Sequence, residues 1–261
     1  MIPKKFVQGG LILFWLGGIT GCTAPHWSGG GYQPEPPPQM NDAQGLGLIA
    51  QEPPSAPTDS RRKGQRYSNR ALDYFEEIAF GSEFTQNRQT LRVRKWVQDL
   101  RIAVRGRPTR QDRGTLNRIV GELNALVAED DIRLVFTNTN PNVEIYFVPH
   151  GQFPRYEPNY VPGNLGFFYG WWNGRMELVR SRILISSDRI TQPERNHLIR
   201  EELTQALGLM NDAWTYEDST FYQGWTRTQD FSSLDRELVR ILYDPRVKPG
   251  QNPDQVRRLL R

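Results

Sequence analysis

The stretch best equipped for chemistry is Glu201-Glu202-Leu203-Thr204-Gln205-Ala206-Leu207-Gly208-Leu209-Met210-Asn211-Asp212. Residues four apart share a helix face, so Glu201 and Gln205 stand together with Glu202 beside them. Gly208 can release the helix into a turn that returns Asn211 and Asp212 toward that face. Glu202 has the right chemistry for a general base, and Glu201, Gln205, Asn211 and Asp212 are candidates for binding. The spacing suits metal ligation, but the residue types do not suit zinc. Gln205 and Asn211 are neutral, weak donors, and Glu201, Glu202 and Asp212 form an oxygen-rich set closer to the needs of calcium or magnesium. No metal site and no cofactor is therefore assigned. Without a firmly held ion no water is prepared for Glu202 to deprotonate, which argues against ordinary zinc peptidase activity. Three readings stay open: hydrolysis by paired carboxylates, Glu202 with Asp212 or Glu201; a binding cleft; or polar positions on an amphipathic helix. His197, one turn before Glu201, is either a weak ligand or an ordinary capping or surface histidine.

A second set of candidates is aromatic. Residues 151–174 hold Tyr156, Tyr160, Phe167, Phe168, Tyr169, Trp171 and Trp172 among glycines and prolines. This reads as a loop with a short hairpin. Rigid rings held by turns stack on sugars or anchor peptides, and core packing explains the same residues equally well. Tyr169, Trp171 and Trp172 are taken as binding candidates. With Trp214 and Trp225 beyond the helix exit they would delimit one cleft if exposed.

The elements that must position these residues follow from periodicity and caps. Apolar residues at helical spacing predict helices over 67–80, 108–129, 191–208 and 233–243. Thr191-Gln192-Pro193-Glu194 is a helix start with a capping box. Strands are predicted in the second half of 91–104 and over 132–136, 143–148 and 176–186. The fold class is α+β, a twisted mixed sheet packed against two long helices in a domain over 66–250. Residues 251–261 form a basic tail or a short helix.

This order of strand, helix, three strands and helix is similar to the upper domain of metzincins. Asp218-Ser219-Thr220-Phe221-Tyr222 resembles the turn beneath the metal in matrixin-type metallopeptidases, with Phe221 in place of methionine. The resemblance implies a zincin-like domain in which Glu201, Gln205 and Asn211 occupy the ligand positions and Glu202 that of the base, with the zinc-binding histidines absent. More closely, Glu201 to Leu209 and Leu242-Tyr243-Asp244-Pro245-Arg246-Val247-Lys248-Pro249-Gly250, together with the N-terminal motif below, resemble the bacterial lipoprotein family DUF2927. That family name implies no reaction.

The ends supply an address. Lys4 and Lys5 precede a short apolar run to Ile19 and then Thr20-Gly21-Cys22, a signal sequence with a small-residue processing site. The run is shorter than the roughly 20 residues a membrane-spanning helix needs. Ile19-Thr20-Gly21-Cys22 resembles a lipobox, which implies cleavage after residue 21, lipid on Cys22 and attachment to a membrane from the periplasmic or outer side. Thr23, where no acidic residue stands, points to the outer membrane of a Gram-negative host. Residues 22–65, rich in Pro, Gly, Gln and Ser, form a disordered tether.

Cys22 is the only cysteine, so no intramolecular disulfide is available and stability must come from a core. Thirty-three basic residues against 29 acidic ones leave a charge of only +4 with no compact basic block, and export removes nucleic acid as a partner. The expected partners are the membrane, through Cys22, and a peptide, a glycan or another envelope protein. The expected function is a lipid-anchored envelope binding or structural module, with a hydrolase of envelope peptide or glycan as the alternative.

Overall fold

The computed structural model describes residues 66–81 and 91–261. Residues 1–21, Cys22 and the tether 22–65 lie outside the described residues. Helix α1 (Asn69–Phe80) starts where the Ser68 side chain accepts from Ala71 N and ends at Gly81. Strand β1 (Leu100–Gly106) leads into α2 (Arg110–Val127), opened by a capping box between Thr109 and Asp112. Strands β2 (Leu134–Phe136) and β3 (Val143–Val148) precede the short helix α3 (Phe153–Tyr156). Strands β4 (Gly166–Trp172) and β5 (Leu178–Ser186) lead to α4 (Gln192–Gln205), α5 (Ser233–Leu242) and α6 (Pro253–Leu260).

The sheet order is β2-β1-β3-β5-β4, with β4 antiparallel to β5 and every other pairing parallel. The α+β class and the mixed sheet expected from the sequence are present. The two long helices are not: the domain uses several shorter ones, of which the longest, α2, has 18 residues. Four strands, not three, separate α2 from α4, because 166–172, expected as loop and short hairpin, is the full edge strand β4, paired with β5. The boundary at 250 also moves. Val256 and Leu260 of α6 are buried in the same core as α1, and Tyr67 N donates to Leu260 O, so 251–261 belongs to the domain. Among the described residues no helix is long and apolar enough to cross a membrane.

Strand alternation divides the sheet into two faces. Ile102, Val143, Ile145, Ile183, Ile185 and Phe168 point into the main core with the apolar sides of α1, α2, α4 and α5. Phe167, Tyr146 and Leu184 point the other way, into a small second core with Phe153 and Tyr156.

Helix α4 is buried on nearly every side although ten of its fourteen residues are polar. Polar groups held this deep need partners, and α4 finds several on its neighbours, while Arg195 Nε, His197 Nε2 and Arg200 Nε and Nη2 stay buried without a hydrogen bond among the described residues. Gln192 Nε2 donates to Asp112 Oδ1 at 2.7 Å and Arg200 Nη1 to Glu122 Oε2 at 2.7 Å, joining α4 to α2. Its exit is fastened too. The last carbonyls of a helix have no partner within it, and here Trp96 Nε1 donates to Ala206 O and Tyr243 OH to Leu207 O, both at 2.8 Å. Burial pushes the Tyr243 phenol far above its usual range, so it remains a donor.

After α5 the chain is locked by Asp244, which accepts from Arg246 Nε at 2.8 Å, Arg246 N at 3.0 Å and Tyr67 OH at 3.2 Å. Burial pushes this carboxyl up, but the bonds from Arg246 outweigh it and hold it below the usual carboxylate range. Asp244→Asn is expected to cost about 2 kcal/mol at neutral pH, the worth of charge-assisted bonds at a buried site. Because the folded carboxyl is the more acidic one, that contribution is complete above the unfolded value and disappears as pH falls through the folded one. Urea titrations of both proteins across this acid range should show the gap closing.

Candidate functional site

Glu201, Glu202 and Gln205 are all buried, at 2%, 6% and 5% exposure, so they are not the solvated stripe of an amphipathic helix. Their side chains take different directions. Glu201 Oε2 lies 3.2 Å from His197 Nε2, one turn earlier on α4. His197 is itself buried, which corrects its reading as a surface or capping residue. Its Nδ1 lies 3.0 Å from Thr228 O, so that nitrogen must carry a proton to donate. A proton is then needed on His197 Nε2 or on Glu201 for the pair to attract.

Glu202 turns toward the sheet. A Cβ placed on Gly166 of β4 would come within 2.5 Å of Glu202 Oε1, so the missing side chain at 166 is what makes room for the carboxylate. Gln205 Nε2 donates to Asp212 Oδ1 at 2.6 Å, so the turn at Gly208 does bring Asp212 back to the helix. Asn211 goes elsewhere: its Nδ2 donates to Ile78 O at 2.8 Å and its N to the same oxygen at 3.0 Å, tying the turn to the end of α1.

Zinc does not fit this donor set. Two of the three ligand positions are neutral amides already engaged in hydrogen bonds, and the third pairs with His197. Among the described residues no three His, Cys, Asp or Glu side chains converge on one point. The arrangement holds the turn after α4 in place.

The turn at 218–222 is a firm support. Asp235 Oδ1 accepts from Ser219 Oγ at 2.6 Å, and Oδ2 accepts from Thr220 N at 3.1 Å and Ser232 N at 2.9 Å. Tyr74 OH donates to Ser219 Oγ at 2.8 Å, and Phe221 is fully buried.

The aromatic candidates do not share a cleft with the carboxylates. Gly166, Phe168 and Gly170 face the main core, so Tyr169 and Trp171 stand on the opposite face of the sheet from α4. Ordinary alternation puts Trp172 on the α4 side, where it packs against the core with Arg94 Cζ 4.3 Å from its ring centre; the irregularity falls across from it in β5, where Val179 is skipped and Leu178 pairs with Trp172. Trp214 and Trp225 are exposed, Trp214 against Tyr222 and Trp225 donating to Glu194 at 3.3 Å.

Beside Tyr169 and Trp171 stand two residues that sequence reasoning passed over, Arg180 and Arg182 of β5. Register pairs Tyr169 with Arg182 and Trp171 with Arg180. The Arg180 and Arg182 Cζ atoms lie 5.0 and 5.8 Å from the Trp171 ring centre. Arg182 is buried and bonds to Tyr156 O and, at 3.4 Å, to Glu157. Their alternation at 180 and 182 was visible in the sequence, but which strand they would meet was not. Burial, with the Glu144 carboxylate nearby, pushes the Tyr146 phenol on this face up to about 12.

A family described as Protein of unknown function (DUF2927) matches residues 68–261. No curated protein matches the chain.

Proposed function

The chain belongs to the DUF2927 family, and on that premise we propose that it is a lipid-anchored cell-envelope protein whose zincin-like site is degenerate and whose domain acts as a binding or structural module. The observation that carries this reading is the commitment of the ligand positions: Glu201 to His197, Gln205 to Asp212 and Asn211 to Ile78. Side chains spent on fastening α4 and the turn after it serve the scaffold. A zincin-like origin accounts for why the spacing survives without its histidines. The buried turn around Phe221 then keeps its supporting place below an α4 that no longer holds an ion. Glu202, buried and packed against Gly166, fits a residue that shapes the α4 to β4 contact better than a base reached by solvent.

The anchor is Cys22, reached through the tether 22–65, and Thr23 directs the protein to the outer membrane in a host that has two. Several acyl chains on one residue give stable attachment where a single chain does not. The test is metabolic labelling of the full-length chain with radioactive palmitate, alongside Cys22→Ser. Label in the wild type, sedimenting with membranes and lost in the variant, is the expected result. An unlabelled wild type that leaves the membrane fraction would overturn the anchor.

A further inference from the structure

We propose that the sheet face turned away from α4 binds an acidic polysaccharide, with Trp171 and Tyr169 as the stacking platform and Arg180 as the carboxylate contact. This deepens the binding-module reading and rests on it. The helices cover one face of the sheet, and on the other the second core under α3 covers the ends of β3, β4 and β5 around Phe167, Leu184 and Tyr146. Beyond that core the outward row carries Trp171 and Arg180 with their neighbours Tyr169 and Arg182.

The platform is built before any ligand arrives. Trp171 and Tyr169 meet edge to face at 4.8 Å, and the Arg180 and Arg182 guanidiniums lie over the indole ring and hold its orientation. Rings held in this way lose little freedom on binding, which favours affinity. A sugar presents a flat C–H face that suits such rings, whereas an extended peptide would need side-chain pockets that a pleated face does not supply.

The charge selects an acidic sugar. Arg101, Arg105, Arg180 and Arg182 alternate onto this face; Arg180 meets Glu144 and Arg182 meets Glu157, while Arg101 and Arg105 donate to Asn140 O and Asn138 Oδ1. The Arg180 side chain is 46% exposed, and its contact with Glu144 is a single long one of 3.2 Å from Nη2. The rest of its planar fork matches a carboxylate in the two-bond manner peculiar to arginine. Arg182, deeper and held by Tyr156 and Glu157, positions Trp171 and adds positive potential beneath the ligand.

The experiment is calorimetric titration of the detergent-solubilised full-length chain with polygalacturonate oligomers, neutral dextran of equal length and phosphatidylglycerol vesicles. Polygalacturonate binding that weakens with salt, absent for dextran, is expected, with at least a tenfold loss in both Trp171→Ala and Arg180→Ala. Both side chains are partly exposed, so the variants fold, and unchanged unfolding midpoints would show it. No polygalacturonate binding, unchanged affinity in both variants, or binding to vesicles alone would overturn the proposal. Palmitate labelling reports separately on the anchor, so loss of that reading and loss of this one are distinguishable.

Discussion

Replacing Gly208 by alanine should destabilise the domain by about 4 kcal/mol, combining the strain of a left-handed backbone with an overpacked contact. Gly208 has φ +123°, a conformation that residues with a side chain rarely adopt. A Cβ at this position would lie 2.1 Å from Arg94 O and 3.3 Å from Leu242 Cδ2. The first neighbour is backbone and cannot swing aside. It belongs to the segment that also supplies Trp96 Nε1 to Ala206 O, so relief of the clash would pull away the donor that closes the end of α4. The expected result is a large fall in the urea midpoint and, because Gln205 meets Asp212 only through this turn, loss of that contact as well. Gly114 supplies the internal control. It lies inside α2 with nothing within 4 Å of an added Cβ, so Gly114→Ala should stabilise by about 0.5–1 kcal/mol. If Gly208→Ala left the midpoint unchanged, the close approach of residue 94 to the exit of α4 would be wrong.

Gly208 was legible as a helix exit because the positive φ that ends a helix is a local requirement, although its close approach to Arg94 O is not. The helix starts at Thr109, Thr191 and Ser232 were legible too, each followed three residues later by an acidic side chain that closes a capping box. Strand β4 was legible only as part of a short hairpin within a loop, and Gly166 explains why its full length was not. A glycine among aromatics reads as a loop signal, but at 166 it answers to a carboxylate thirty-six residues later that fills the space of its Cβ. The same limit applies to the candidate site. Spacing on one helix placed His197, Glu201 and Gln205 on a shared face. That Glu201 is buried, that Asn211 bonds to α1 and that Tyr169 and Trp171 leave the α4 side are consequences of tertiary contacts and strand register. A one-residue change of phase in β4 exchanges its faces, and nothing local to 166–172 sets that phase. Arg180 and Arg182 went unnoticed for the same reason, since their meaning lies in the strand across from them.

The Asp235→Ala variant should cost about 4 kcal/mol, and it tests whether the turn at 218–222 supports the α4 region. Asp235 is fully buried, and its carboxylate accepts from one hydroxyl and two backbone N–H groups in separate parts of the chain: Ser219 Oγ and Thr220 N in the turn, and Ser232 N at the start of α5. Removing it leaves buried donors without an acceptor, each a penalty of about 1–3 kcal/mol, and deletes half of a capping box. Water entering the vacated space would recover part of that sum. Asp235→Asn keeps the shape and one amide oxygen, so it should lose roughly half as much, the remainder reflecting charge-assisted bonds. The effect should extend beyond α5. Ser219 also accepts from Tyr74 OH, and the Ser219 oxygen takes the Phe221 N–H at 3.0 Å, so loosening Ser219 frees both α1 and the buried Phe221. Hydrogen exchange would therefore show loss of protection at Thr220, Phe221 and the first turn of α5 together. Protection lost at α5 alone would mean that Asp235 is only a helix cap and that the turn stands without it.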